Sequence, residues 1–89
     1  MTHYVIETTP EFDAQFKKLD RSVQKKVLTW IAKHLENTDN PRAYGKALRY
    51  EFKGLWRYRI GNYRLLTRIL DDKLIIFMIH IEKRDSVYD

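Results

Sequence analysis

The sequence predicts a single α+β domain spanning residues 1–89, in the order β-α-α-β-β-β, with two N-terminal helices packed on one face of a mostly antiparallel sheet. Three observations predict it. Apolar residues recur with helical spacing between positions 12 and 35. From Trp56 to Ile69, arginines alternate with aromatic and aliphatic residues as strands require, with one break at Gly61-Asn62. Behind Asp71-Asp72-Lys73 lies a near-continuous apolar run, Leu74 to Ile81.

Tyr4 to Thr8 is short, β-branched and partly alternating, and reads as the first strand. Thr9-Pro10-Glu11 then marks a helix start: Thr9 as N-cap, Pro10 in the first turn, and Glu11 near the positive end of the helix dipole. Phe12, Phe16 and Leu19 form the buried stripe of this short helix. Asp20 can cap a second helix, in which Val23, Val27, Trp30, Ile31, His34 and Leu35 keep the helical period. Asn37 to Pro41 ends it, because the residue before a proline avoids helix and asparagines favour turns. Residues 42–54 read as irregular, with a short strand around Lys46 to Arg49.

Two arginine-bearing strands follow, joined at Gly61-Asn62. Arg57 and Arg59 alternate with Trp56, Tyr58 and Ile60, while Arg64 and Arg68 are out of phase with Tyr63, Leu65, Thr67 and Ile69. Successive strand side chains point to opposite faces, so the guanidinium groups separate from the apolar bodies onto one open sheet surface. In the last strand, Ile75, Phe77, Ile79 and Ile81 make an all-apolar parity expected to face the helices. Leu74, Ile76, Met78, His80, Glu82 and Arg84 make the other.

An apolar fraction of 44% supports one small core. A chain this short buries only roughly 60% of its unfolded surface. With no cysteine, a disulfide framework, a thiolate nucleophile and a cysteine zinc site are excluded. The three histidines lack metal-ligand spacing, so neither metal nor other cofactor is expected. No secretory signal layout opens the chain, and the longest apolar run is too short to span a bilayer. A cytoplasmic protein without membrane contact is the expectation.

The net charge is +5, and it is concentrated. Between positions 42 and 68 stand eight basic residues (Arg42, Lys46, Arg49, Lys53, Arg57, Arg59, Arg64 and Arg68) against one acid, Glu51. Arginine dominates and aromatics are interleaved. Solubility alone would be served as well by lysine, so the pattern points to an anionic ligand, with phosphate the natural candidate.

LWRYRIGNYRLLTRI, preceded by KALR and followed by FMIHIEKRDSVY, resembles the RelE toxins of the RelE/ParE superfamily of bacterial type II toxin-antitoxin modules. The resemblance covers nearly the whole chain, and Arg84 with Tyr88 in the tail favours the RelE branch. It implies a metal-independent endoribonuclease that cuts mRNA in the ribosomal A site by attack of the 2′-hydroxyl on the adjacent phosphate. It also implies a cognate RelB-like antitoxin, and contact with operator DNA only through that antitoxin. Carried onto this chain, Arg64 matches the arginine that stabilises the phosphorane, Arg84 the arginine near the leaving oxygen, and Tyr88 the tail tyrosine credited with stacking or proton transfer. Arg49, Arg57 and Arg59 match further basic positions. With Lys53, Arg68 and Lys83 they form the expected RNA and ribosome contacts.

That chemistry needs a base, a charge neutraliser and a proton for the leaving oxygen. Arginine supplies the second but cannot act as a base. Tyr88, His80, Lys53 and Lys83 are the residues left for proton transfer, with His80 weighed also as an ordinary strand-face or core histidine. Two other readings stand beside the nuclease: a ParE-like inhibitor of DNA gyrase, which needs no catalytic residues, and a non-catalytic nucleic-acid-binding module on the same fold.

Overall fold

A computed structural model describes residues 3–84. The elements are β1 (Val5–Thr8), α1 (Pro10–Lys17), α2 (Arg21–His34), β2 (Lys46–Ala47), a 3-10 turn (Tyr50–Phe52), β3 (Trp56–Ile60), β4 (Tyr63–Leu70) and β5 (Ile75–Lys83). The five strands form one sheet in the order β1-β5-β4-β3-β2. Only β1 runs parallel to its neighbour; the other pairings are antiparallel.

The local signals act as the sequence predicts at most boundaries. The Thr9 hydroxyl accepts from the Phe12 amide at 3.2 Å and Pro10 occupies the first helical position. Asp20 takes the N-cap position of α2 but makes no side-chain cap bond. Gly61 adopts φ 58 between β3 and β4, the positive φ that a two-residue hairpin needs at its first central position. The short strand of the 42–54 segment is only Lys46–Ala47, followed by the 3-10 turn.

The helices cover one sheet face. Val27, Ile31 and Leu35 from the α2 segment and Phe12 from α1 pack with Tyr58, Ile60, Leu65, Ile76, Met78 and Ile81. Tyr58 is fully buried, and its hydroxyl donates to the Pro41 carbonyl at 2.5 Å. That bond satisfies a polar tip that burial would otherwise leave costly.

One expectation fails in β5. Ile76 and Met78, not Ile75, Phe77 and Ile79, enter the core together with Ile81. The cause is a bulge. Leu66 pairs with His80 but Thr67 pairs with Met78, so Ile79 is an extra residue with no partner on β4. One inserted residue exchanges the faces of everything beyond it. His80 and Glu82 still fall on the open face, because Glu82 stands opposite Arg64 and His80 opposite Leu66.

Gly45 fixes the strand-end geometry. It has φ 86, and a Cβ there would lie 2.2 Å from the Arg57 carbonyl oxygen. Gly54 also has positive φ (99), but a Cβ there meets only the Arg68 guanidinium, at 3.5 Å. Gly54→Ala should therefore cost about 1 kcal/mol, as a strained φ does, and Gly45→Ala distinctly more. Urea denaturation of the two variants checks this; equal losses would contradict it.

Candidate nucleic-acid interface

Register assigns the open face residue by residue. Arg59 pairs with Arg64 and Arg57 with Leu66, so Arg57, Arg59 and Arg64 share one side of the sheet. Lys46 stands opposite Arg57 and joins them. Arg68 lies on the same face, four residues along β4 from Arg64 and thus about 13 Å away. Arg49 and Lys53 flank the 3-10 turn and are exposed. That turn borders the face: Leu48, Phe52 and Leu55 line a groove of about 400 Å³ together with Leu66 and Ile79, and Arg64, His80, Glu82 and Glu11 form its polar side.

One predicted residue is not brought into this cluster, and another falls outside the described residues. Lys83 pairs with Tyr63 and shares the parity of Ile81, which directs it to the helix side of the sheet. Tyr88 lies outside the described residues. Arg84 follows β5, and its amide donates to the Asn62 carbonyl at 2.6 Å, which anchors it at the same sheet end as Arg59 and Arg64. A second recess, about 360 Å³, lies where Trp30, Tyr44, Gly45 and Lys46 meet Arg57 and Arg59.

Arg64 does not point into empty solvent. Its Nε donates to Glu82 Oε2 at 3.0 Å, and its Nη2 bonds the same oxygen. Glu82 Oε1 lies 2.8 Å from His80 Nε2, and His80 Nδ1 lies 2.7 Å from Glu11 Oε2 on α1. A chain of alternating charge, Arg64–Glu82–His80–Glu11, thus runs from the central strand to the first helix. Asp71 is not part of it, being held by a two-pronged bond from Arg42 (2.9 and 3.0 Å) and by the Tyr4 hydroxyl (2.6 Å).

The network shifts both of its central groups. Burial works to lower the His80 pKa, but hydrogen bonds to Glu11 and Glu82 outweigh it and hold the imidazole above its ordinary value. Burial works to raise Glu82, but the bonds from Arg64 and His80 outweigh it and hold the carboxyl below the usual range. Gln15 Nε2 also lies 2.7 Å from His80 Nδ1, which suits only a neutral ring with an accepting Nδ1. Two flanking carboxylates favour the imidazolium instead. Its Nδ1–H then donates to Glu11, and Gln15 donates to the same oxygen at 3.3 Å. The Gln15 carbonyl accepts from the Ile81 amide at 2.8 Å, beyond the reach of β1 along that edge.

Sequence reasoning singled out Arg64 and His80 but not Glu82 as a functional partner. The signal for Glu82 was available in the spacing His80-x-Glu82, which puts both side chains on one face of a strand. No sequence signal brings Glu11 there, because it is 69 residues from His80 in the chain.

Comparison with known proteins gives the family. The model of the ParE toxin of type II toxin-antitoxin systems (parDE) matches residues 6–88. The chain belongs to the RelE/ParE superfamily of type II toxins. A curated relative from Mycobacterium tuberculosis named Toxin RelE is 31% identical over 86 residues, covering 97% of this chain and 84% of the relative. Among solved structures, a chain of the toxin-antitoxin complex RelBE2 from M. tuberculosis superposes with a TM-score of 0.78 at 26% identity, over 92% of this chain and 99% of that one. The isolated RelE toxin of E. coli shares the fold at a TM-score of 0.74 and 21% identity, over 96% and 90% of the two chains. Among the described residues, no group of three or more histidines and acids could hold a metal ion, and no helix is long and apolar enough to cross a membrane.

The network has a stability consequence. His80 is raised in the fold, so its contribution is complete below the ordinary histidine value near 6.5 and is lost as pH rises through the folded value. Glu82 is lowered, so its contribution is complete above the ordinary value near 4.5 and is lost as pH falls. Wild type should therefore exceed His80→Gln in stability most clearly between about pH 5 and 6.5, with the gap closing at alkaline pH. Denaturation across pH, with the His80 ring followed by NMR, measures it. A gap that widens above pH 8 would contradict the assignment.

Proposed function

We propose that this toxin is a RelE-type ribosome-dependent endoribonuclease that cleaves mRNA in the A site and is restrained by a cognate RelB-like antitoxin. The observation that carries this reading is the convergence of Arg57, Arg59 and Arg64 on one open sheet face, with the Arg84 backbone anchored at the same end. The relative named Toxin RelE, similar over nearly the whole chain, supports it. The antitoxin follows by analogy with the RelBE complexes whose toxin fold this chain shares. The protein acts where translation occurs, in the cytoplasm, and meets operator DNA only through the antitoxin.

Cleavage on this face divides the labour. Arg57 and Arg59 hold RNA backbone as cations. Arg64 meets the scissile phosphate, where a planar fork matches phosphate oxygens better than an ammonium does. As the 2′-oxygen attacks, negative charge grows on the equatorial oxygens, and a donor already in place stabilises it without reorganisation. Arg84, at the end of β5, approaches the leaving oxygen. Tyr88 retains its proposed role in stacking or proton transfer at the tail.

One observation favours a second reading: the matching family model is described as a ParE toxin. A ParE-like protein would block gyrase through its surface alone. Incubation with programmed ribosomes and, separately, with gyrase distinguishes the two. Cleaved mRNA with a 5′-hydroxyl end is expected, with DNA supercoiling unaffected; the reverse result would replace the nuclease with the gyrase poison.

Arg64→Ala should bind ribosomes almost normally yet cleave on the order of 100-fold or more slowly in single turnover. Arg57→Lys keeps the point charge and should retain much of both. Equal loss of affinity and cleavage in Arg64→Ala would move Arg64 to the docking set.

A further inference from the structure

The described residues of the arginine face pose a chemical problem. Four of its cations, Arg57, Arg59, Arg64 and Arg68, are arginines, and an arginine cannot accept the 2′-hydroxyl proton. The group bonded to Arg64 that can accept one is Glu82, since His80 beside it is held as the imidazolium. We infer that Glu82 is the general base of the cleavage, with His80 as the residue that positions it. This rests on the ribonuclease reading above.

Geometry comes first. Glu82 Oε2 occupies the Nε–Nη2 edge of Arg64, a two-pronged edge that a phosphate can take. An incoming phosphate displaces that oxygen but not the residue, because Oε1 remains bonded to His80 Nε2 at 2.8 Å and His80 is itself fixed from α1 by Glu11. The released carboxylate oxygen is thereby left against the group that holds the scissile phosphate. The attacking 2′-oxygen must approach that phosphorus to roughly 3–3.5 Å, so its proton comes within hydrogen-bond reach of such a carboxylate.

Basicity comes second. In the resting network Glu82 is ionised at neutral pH, the form a base must have. It is then a weak base. Substrate corrects this in the right direction: Glu82 exchanges its bonds from Arg64 for the neighbourhood of an anionic phosphate, and both changes raise its pKa. The charged groups that bear on the pair are Arg64 and its register partner Arg59 from the sheet, and Glu11 from α1 with the neutral Gln15 beside it.

The step balances without a co-reactant. The 2′-O–H bond breaks and its proton passes to Glu82. The 2′-oxygen pair forms the bond to phosphorus, and the P–O5′ bond breaks with its pair leaving on the 5′-oxygen. That oxygen takes a proton from solvent water, and Glu82 returns its proton to solvent. In-line displacement puts the leaving oxygen on the far side of phosphorus, so a carboxylate and imidazole 2.8 Å apart serve the attacking side only.

Single-turnover cleavage on programmed ribosomes, followed from pH 5 to 9 with ribosome binding measured separately, tests the assignment. Glu82→Gln should cleave on the order of 100-fold or more slowly with binding retained, and should lose the acid limb of the pH profile. His80→Gln should lose less rate but also the fall of the profile at alkaline pH. Thermal melts check that each variant folds, and the wild-type profile is an independent readout, since it must show an acid limb. Glu82→Gln as fast as wild type, or faster because Arg64 has been released, overturns the inference and leaves the nuclease reading intact. A wild-type protein that does not cleave overturns both.

Discussion

One extra residue in the last strand decides what the open face can do. Ile79 has no partner on β4, and its insertion lets Ile76 and Met78 enter the core while His80 and Glu82 still emerge beside Arg64. A regular strand could not do both, since the two sets share a parity. The bulge is held from the other layer. The Thr9 hydroxyl lies 3.0 Å from the Met78 carbonyl oxygen and 3.3 Å from that of Ile79, while the same oxygen caps α1. The helix it starts then delivers Glu11 to His80 and Gln15 to the Ile81 amide. N-cap, bulge and charge network are one connected piece of structure.

This explains which parts of the fold were legible in the sequence. Helical stripes such as Val27, Ile31 and Leu35 and the alternation of Arg57 and Arg59 around Tyr58 are strong because one face is apolar and the other is not. They gave the helices, the arginine strands and their shared face. In β5 the contrast vanishes: Ile75, Phe77 and Ile79 are as apolar as Ile76 and Met78. Parity then carries no information, and a bulge leaves no mark. The second blind spot is the partner of Arg64. No sequence spacing pairs it with Glu82, 18 residues away; that pairing follows from strand register, while Asp71 is held by Arg42 and Tyr4.

The Arg64–Glu82 pair also shows how a cationic face avoids self-repulsion without being blocked. Arg59 and Arg64 are direct cross-strand neighbours, and like charges there are destabilising. Glu82 relieves this. Yet both side chains of the pair keep 36% of their exposure, and an ion pair this wet contributes only about 0–1 kcal/mol. A phosphate on the guanidinium offers charge-assisted bonds of at least comparable strength. The resting pair is therefore a weak placeholder, firm enough to orient Arg64 and weak enough to yield.

Cations alone do not separate the members of a superfamily whose fold serves different targets. A basic sheet face suits ribosomal RNA, mRNA and the DNA-bound surface of another enzyme alike. The acid inside the basic face bears on which of these the proposed chemistry would need. For simple docking to phosphates, a carboxylate bonded to the central arginine is a liability, because it competes with the ligand for the same edge. For stability it contributes little at its exposure. A transesterification, by contrast, needs a proton acceptor next to its phosphate-binding group. Glu82, bonded to Arg64 on one side and held by His80 on the other, would yield to a docked phosphate and, under the proposed chemistry, serve as the acceptor beside it.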